Sequence, residues 1–161
     1  MRNTRFALVF ALIFGLCAAT GLRAVDTVDT RMLAQPAVSA ERIAFVYAND
    51  LWTSDPEGRD VRRLTSDVGA ETFPAFSPDG ALLAFSGQYD GNTDVFVVPA
   101  AGGVPKRLTW HPAADIVQGF TPDGRSVLFT STRFSSNRAY AQLFTVPIGG
   151  GEPVMLKVPY V

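Results

Sequence analysis

Apolar positions along this chain fall into two regimes. Residues 6–16 (FALVFALIFGL) form one unbroken apolar run, whereas beyond residue 31 apolar residues come in short bursts closed by Gly, Pro, Asn or Asp. Arg2 and Arg5 precede the first run with no acid nearby, and the small residues Cys17, Ala18 and Ala19 follow it. That order is the one of a secretory signal peptide. A membrane span needs about 20 apolar residues, and Gly21, Arg23 and Asp26 close this run too early for one. We therefore expect a signal peptide over residues 1–24, cut after Gly21 or Ala24, and no membrane span once it is removed. Leu16 stands where a lipid-anchored precursor needs a small residue before Cys17, so no lipid anchor is expected. Residues 25–37 are polar and mixed, and read as a leader.

The second regime repeats. Phe76-Ser77-Pro78-Asp79-Gly80 returns as Phe120-Thr121-Pro122-Asp123-Gly124 at an offset of 44, and Leu83–Ser86 returns as Val127–Thr130. Val95–Pro99 returns as Leu143–Pro147 at an offset of 48, the extra residues falling in the Ser/Asn/Arg-rich stretch 134–141, where an insertion is cheap. An earlier copy shows Ile43–Val46, Asp50-Leu51-Trp52 and Arg63-Leu64-Thr65, the last two standing 44 residues before Asp94-Val95-Phe96 and Arg107-Leu108-Thr109. A period of this size with frequent turn signals predicts β-propeller blades.

Turn chemistry supplies the strands. Pro78 fixes φ, and Asp79-Gly80 offers the positive-φ position of a tight reversal. Ala81–Gly87 is dense enough in Leu, Ala and Phe for a strand buried on both faces. Asp90-Gly91-Asn92 turns into Asp94–Val98, a β-branched and aromatic strand. Pro105–Thr109 is short, basic and opened by proline, as an exposed outer strand should be. Trp52 and Phe96, at equivalent places, read as inter-blade core. The predicted fold is all-β: an incomplete propeller over residues 38–161, of about three four-stranded blades at roughly 32–65, 71–109 and 115–158. The complete ring is expected to have six or seven blades.

Composition narrows the function. A chain 47% hydrophobic and 18% charged is not a disordered one. Its net charge of −1 becomes −4 once Arg2, Arg5 and Arg23 leave with the signal, so no nucleic-acid partner held through phosphates is expected. The single cysteine excludes a disulfide framework and a CxxC zinc site.

Candidate chemistry is sparse. His111 is the only histidine, there is no GxSxG elbow, and it reads as a loop residue against a neighbouring blade. Asp90-Gly91-Asn92-Thr93-Asp94 opens like a calcium loop, but Val95 and Ala101 stand where that loop needs Gly and Glu, so it reads as an Asx-type turn. Glycines 102–103 and 149–151 read as turns, with no helix to make a phosphate site. Arg133 and Arg138, with Ser135, Ser136 and Asn137, read as an exposed polar loop. No catalytic, cofactor-binding or metal residue is assigned, and no cofactor is expected.

Phe76–Gly80, Phe85-Ser86-Gly87, Tyr89–Asp94 and Lys106–Pro112 together resemble the first blades of the N-terminal propeller of the tricorn protease family, over essentially all of residues 31–158. Tol–Pal and prolyl-oligopeptidase propellers share the Ser-Pro-Asp-Gly type of turn; YDGNTDV and RLTWHP are the more specific runs. The resemblance implies a serine peptidase whose propellers guard a catalytic chamber. Its nucleophile would lie in a downstream peptidase domain, beyond further propeller and PDZ-like domains, so no catalytic residue carries over to this chain. Unfolded peptide or protein is the implied substrate, and with residues 1–24 an exported, periplasmic or extracellular, relative is implied. A non-enzymatic periplasmic binding propeller resembling the Tol–Pal protein is the alternative. Three blades do not close a ring, so the isolated chain is expected to self-associate.

Overall fold

The structure is a computed structural model that describes residues 33–135 and 140–158. The expected signal peptide, residues 1–24, lies outside them. Twelve strands follow one another with no helix among the described residues. The first blade is β1 (Ala34–Val38), β2 (Ile43–Tyr47), β3 (Asp50–Ser54) and β4 (Arg62–Arg63). The second is β5 (Glu71–Phe76), β6 (Leu82–Gly87), β7 (Asp94–Pro99) and β8 (Lys106–Arg107), and the third β9 (Asp115–Phe120), β10 (Ser126–Ser131), β11 (Gln142–Pro147) and β12 (Val154–Met155). Each is a four-stranded antiparallel meander in chain order. The described part is an incomplete β-propeller, since closed rings use roughly four to eight blades.

β1 takes residues 34–38, within the stretch of about 32–65 expected for the first blade and over the end of the segment read as a leader. It looked polar and mixed because β1 is the innermost strand, exposed along most of its length; only Ala37 turns toward the core. The first strands of successive blades lie side by side, β1 by β5 and β5 by β9, around one axis. Each carries an irregularity in its pairing to the next strand, at Ala34/Ala37, Thr72/Ala75 and opposite Leu128/Phe129. Gln35 and Phe73, both preceding a proline, hold φ at 50° and 54° there.

The core has two seams. Every strand alternates its side chains between faces, and the large ones go to the face toward the preceding blade. Leu83, Phe85, Phe96 and Val98 of blade two pack on Ala44 and Leu51 of blade one. Val127, Phe129, Phe144 and Val146 of blade three pack on Ala84, Val95, Val97 and Leu108 of blade two. The cross-strand pairs Phe85–Phe96 and Phe129–Phe144 stack at 5.5 Å in both seams. Blade two is thus covered on both faces, which is why β6 and β7 read as continuous apolar runs.

Trp52 departs from the expectation of inter-blade core. It occupies the position of Phe96, but on blade one that face has no neighbouring blade among the described residues. Its ring lies half-exposed, edge-on to Tyr47 at 5.9 Å, with Nε1 donating to the Tyr47 carbonyl.

Candidate functional site

The two most distinctive runs, Tyr89–Val95 and Arg107–Pro112, meet at the end of the propeller where β7 begins and β8 ends. Arg107 is the centre. Its guanidinium pairs with the buried Asp94 and with Asp90 at 2.9 Å, its Nε donates to the Thr109 carbonyl at 2.8 Å, and its plane lies 5.7 Å over Trp110. The Thr109 hydroxyl accepts the Val95 amide at 2.9 Å and donates to Asp94. Asn92 donates through Nδ2 to the His111 carbonyl and to Asp94, which ties the β6–β7 turn to the connection between blades. Blade one repeats the latch with Asp50, Arg63 at 2.8 Å and Thr65 on the Leu51 amide at 3.0 Å. Blade three does not: Gln142 and Met155 stand in the places of Asp94 and Arg107, and the Gln142 Oε1 is buried without a partner.

Beside each latch lies a buried acid, and the first of the two spans the seam. Glu71 opens β5 and is fully buried; its Oε2 accepts from the Leu51 amide at 2.8 Å and from the Thr65 hydroxyl, both of blade one, and its Oε1 from the Tyr89 hydroxyl at 2.5 Å. Burial pushes the Glu71 carboxyl above its ordinary range, against those three donors. Burial and the adjacent Glu71 likewise push the Tyr89 hydroxyl up. In blade three Asp115 and Arg133 take the same two places. Asp115, also fully buried, pairs with Arg133 at 2.6 Å, and the Arg133 guanidinium lies 5.1–5.2 Å over Phe129 and Phe144, where Tyr89 packs on Phe85 and Phe96. Asp115 is one methylene shorter than Glu71. Its Oδ1 is left without a partner, while Thr109 and the Val95 amide bond within blade two.

The residues singled out in the sequence can now be placed. Arg133 is not part of an exposed loop: its side chain is 9% exposed, drawn in by Asp115 and the two rings. Ser136, Asn137 and Arg138 lie outside the described residues. His111 serves a turn, its Nδ1 accepting the Ala113 amide at 3.0 Å. Asp90 and Asn92 spend their oxygens and nitrogen on Arg107 and the connection rather than facing a common cation position, and among the described residues no group of three acids, histidines or cysteines could hold a metal. Gly102 and Gly150 donate back to Pro99 and Pro147, as turns do. Glu71, Tyr89 and Asp115 escaped notice, although their shared offset of 44 from Glu71 to Asp115 and from Tyr89 to Arg133 was available as a signal.

A second feature faces the axis. Gln35, Pro36, Phe73, Pro74 and Gln118, with Val117 beneath, line a cleft of about 310 Å³ between the innermost strands. The Phe73 amide donates to the Gln35 side chain, and Phe73 itself is 43% exposed. Pro36 and Pro74 each remove a backbone donor, so the inner edges of β1 and β5 offer no continuous ladder to an added strand.

Fold and networks define a class: a β-propeller whose polar residues hold its strands and blades in register. The chain belongs to the family of the tricorn protease N-terminal β-propeller domain, whose model matches residues 30–161. Tricorn protease homolog 1 of Streptomyces coelicolor is 35% identical over 127 residues, covering 78% of this chain and 12% of that protein. A TolB homolog of Chlorobium chlorochromatii is 32% identical over 142 residues, covering 60% of this chain and 32% of that one. Among solved structures, the tricorn protease superposes with a TM-score of 0.67 at 25% identity, over 78% of this chain and 13% of its own. TolB from Acinetobacter baumannii gives 0.61 at 26% identity, over 80% and 33%. The chain therefore spans an eighth to a third of the length of these relatives.

Proposed function

We propose that this chain is the propeller portion of an exported tricorn-type serine peptidase, and that its axis admits unfolded polypeptide toward a catalytic domain not contained in residues 1–161. Family membership and the axial cleft support this reading. The observation that carries it is the build of the innermost strands. Gln35, Phe73 and Gln118 offer contacts without charge, and Pro36 and Pro74 deny the passing chain a backbone ladder. A segment entering the axis is selected by its thickness, not captured by strand addition. The charged residues have separate work: Arg2 and Arg5 serve export to the periplasm or beyond, and the pairs Asp50–Arg63, Asp94–Arg107 and Asp115–Arg133 hold strands and blades in register.

A photo-crosslinking residue at position 73 tests this. The unfolded form of a small protein should label in excess of its folded form at equal concentration. Equal labelling, or none by either form, would sink the proposal.

The likeness to TolB proteins favours a second reading, a periplasmic binding propeller without chemistry. Trp110, 67% exposed and held by Arg107, would then be a contact residue. Recovery of an envelope protein through the wild-type chain, lost on Trp110→Ala, would support it over the first.

A further inference from the structure

The two seams inside the chain hold a buried acid at the same place and use it differently. Glu71 and Asp115 enter their seams alike: the Glu71 amide donates to the Asn49 carbonyl and the Asp115 amide to the Thr93 carbonyl, each at 2.9 Å. The facing groups of the preceding blade are alike too. Leu64 and Leu108 donate to the carbonyls of Leu51 and Val95 at 2.7 and 2.8 Å. The Thr65 and Thr109 hydroxyls accept the amides of Leu51 and Val95 at 3.0 and 2.9 Å. With backbone and partners placed in common, the acids differ in reach. Glu71 Oε2 meets the Leu51 amide and the Thr65 hydroxyl across the seam. Its counterpart, Asp115 Oδ1, is one methylene short and buried without a partner, while Arg133 holds the other oxygen at 2.6 Å.

The groups facing Asp115 have capacity left. In the first seam the Leu51 amide is shared between Thr65 at 3.0 Å and Glu71 at 2.8 Å, whereas the Val95 amide meets Thr109 and no carboxylate. The Thr109 hydroxyl, with no acid across the seam to take it, makes a long bond of 3.3 Å to Asp94 Oδ1. Two donors, at Val95 and Thr109, and two acceptors, on Asp94 and Asp115, thus surround the place that the end of the Glu71 side chain fills in the first seam.

We propose that one ordered water binds at this place and bridges the second seam. It accepts from the Val95 amide and the Thr109 hydroxyl and donates to Asp115 Oδ1 and Asp94 Oδ1. Four bonds are the full capacity of a water molecule, and buried waters typically make about three. A water takes about 30 Å³ in the liquid, close to the room of the missing methylene. A cation does not suit the place: the Val95 N–H points into it, and Arg107 and Arg133 already neutralise the two carboxylates. The water explains how a shorter acid serves this seam. Asp115 stays on the Arg133 guanidinium while the water completes its reach, and such a bridge is nearly as good as a direct hydrogen bond.

Nuclear Overhauser transfer from water to the backbone amides of the full chain tests this, because a buried water stays beside its partner long enough to transfer magnetisation. The Val95 amide should receive it and the Leu51 amide should not. The Thr65 and Thr109 hydroxyls lie equally close to these amides, so transfer relayed through a hydroxyl would appear at both. Asp115→Glu restores the methylene and should bring transfer at Val95 down to the Leu51 level, with Thr109 intact. Glu71→Asp should create transfer at Leu51. Exchanging sodium for potassium at constant ionic strength should leave the Val95 resonance in place. The comparison of Val95 with Leu51 in the wild type does not depend on either variant folding. No transfer at Val95, equal transfer at both amides, or transfer at Val95 that survives Asp115→Glu overturns the proposal. A Val95 resonance that follows the cation does so as well, since the occupant would then be an ion.

Discussion

Glu71 is the residue whose environment has the clearest consequence for pH. It is fully buried, and three donors do not outweigh the loss of hydration, so its carboxyl titrates above 4.5 in the folded chain. Below that value both folded and unfolded chains hold the proton, and nothing is lost. As pH rises, the unfolded chain releases its proton first, and stability falls until the folded carboxyl has also titrated. A glutamine at this position does not titrate. The stability of Glu71→Gln relative to wild type should therefore rise from pH 4 to pH 8 in paired denaturant titrations, and parallel curves would refute the burial argument. Asp79 and Asp123 act with the opposite sign. The hydroxyls of Ser77 and Thr121 hold them below the ordinary range, so their contribution is present above about 3.8 and lost as the pH falls through the folded value.

At the scale of strands and turns, the two Pro-Asp-Gly reversals are the clearest case of local sequence deciding local structure. Asp79 Oδ1 takes the Ser77 hydroxyl and the Ala81 amide, and Asp123 Oδ1 takes the Thr121 hydroxyl and the Arg125 amide, residue for residue. Gly80 and Gly124 complete the turns at φ +72° and +69°. A Cβ at either would have ordinary clearance, 3.4 Å from Ser39 and 3.5 Å from Pro78, so dihedral strain alone sets the penalty. Gly80→Ala and Gly124→Ala should each lose about 1–2 kcal/mol by chemical denaturation, and Gly80→Asn distinctly less, since asparagine tolerates this region. Equal losses for Ala and Asn would point instead to crowding. Such turns were legible because their causes lie within five residues. The blade period was legible for the same reason, being a succession of such turns. Arg133 was not: it stands at the head of a Ser- and Asn-rich stretch, and only Asp115, 18 residues away in the chain, together with the rings of Phe129 and Phe144 makes it a buried cation. The start of blade one is faint for a related reason, since an innermost strand facing an axis carries a solvent-exposed pattern. At the site, the latch residues Asp94, Arg107 and Thr109 stood out as repeated letters, but their role depends on β7 and β8 being paired.

For the molecule as a whole, stability in a repeat array is a sum of blade terms and seam terms, and here the two kinds are unevenly shared. Blade two contributes to both seams, with Phe85 and Phe96 on one face and Ala84, Val95 and Val97 on the other, all of them buried. Among the described residues, blade one and blade three each take part in one seam. Blade three also lacks the Asp–Arg latch that pins the outer strand in the other two. Opening should therefore begin at the outer strand β12, spread through blade three and blade one, and reach blade two only with global unfolding. Amide exchange should be slowest in Leu83–Ser86 and Val95–Val98 and measurably faster in their counterparts Val127–Phe129 and Ala44–Val46. Phe85→Ala, which removes a ring wholly buried in the first seam, should cost about 3–5 kcal/mol and release blade one while blade three keeps its protection. Uniform exchange across all three blades in that chain would mean that they unfold as a single unit and that seams do not set the hierarchy.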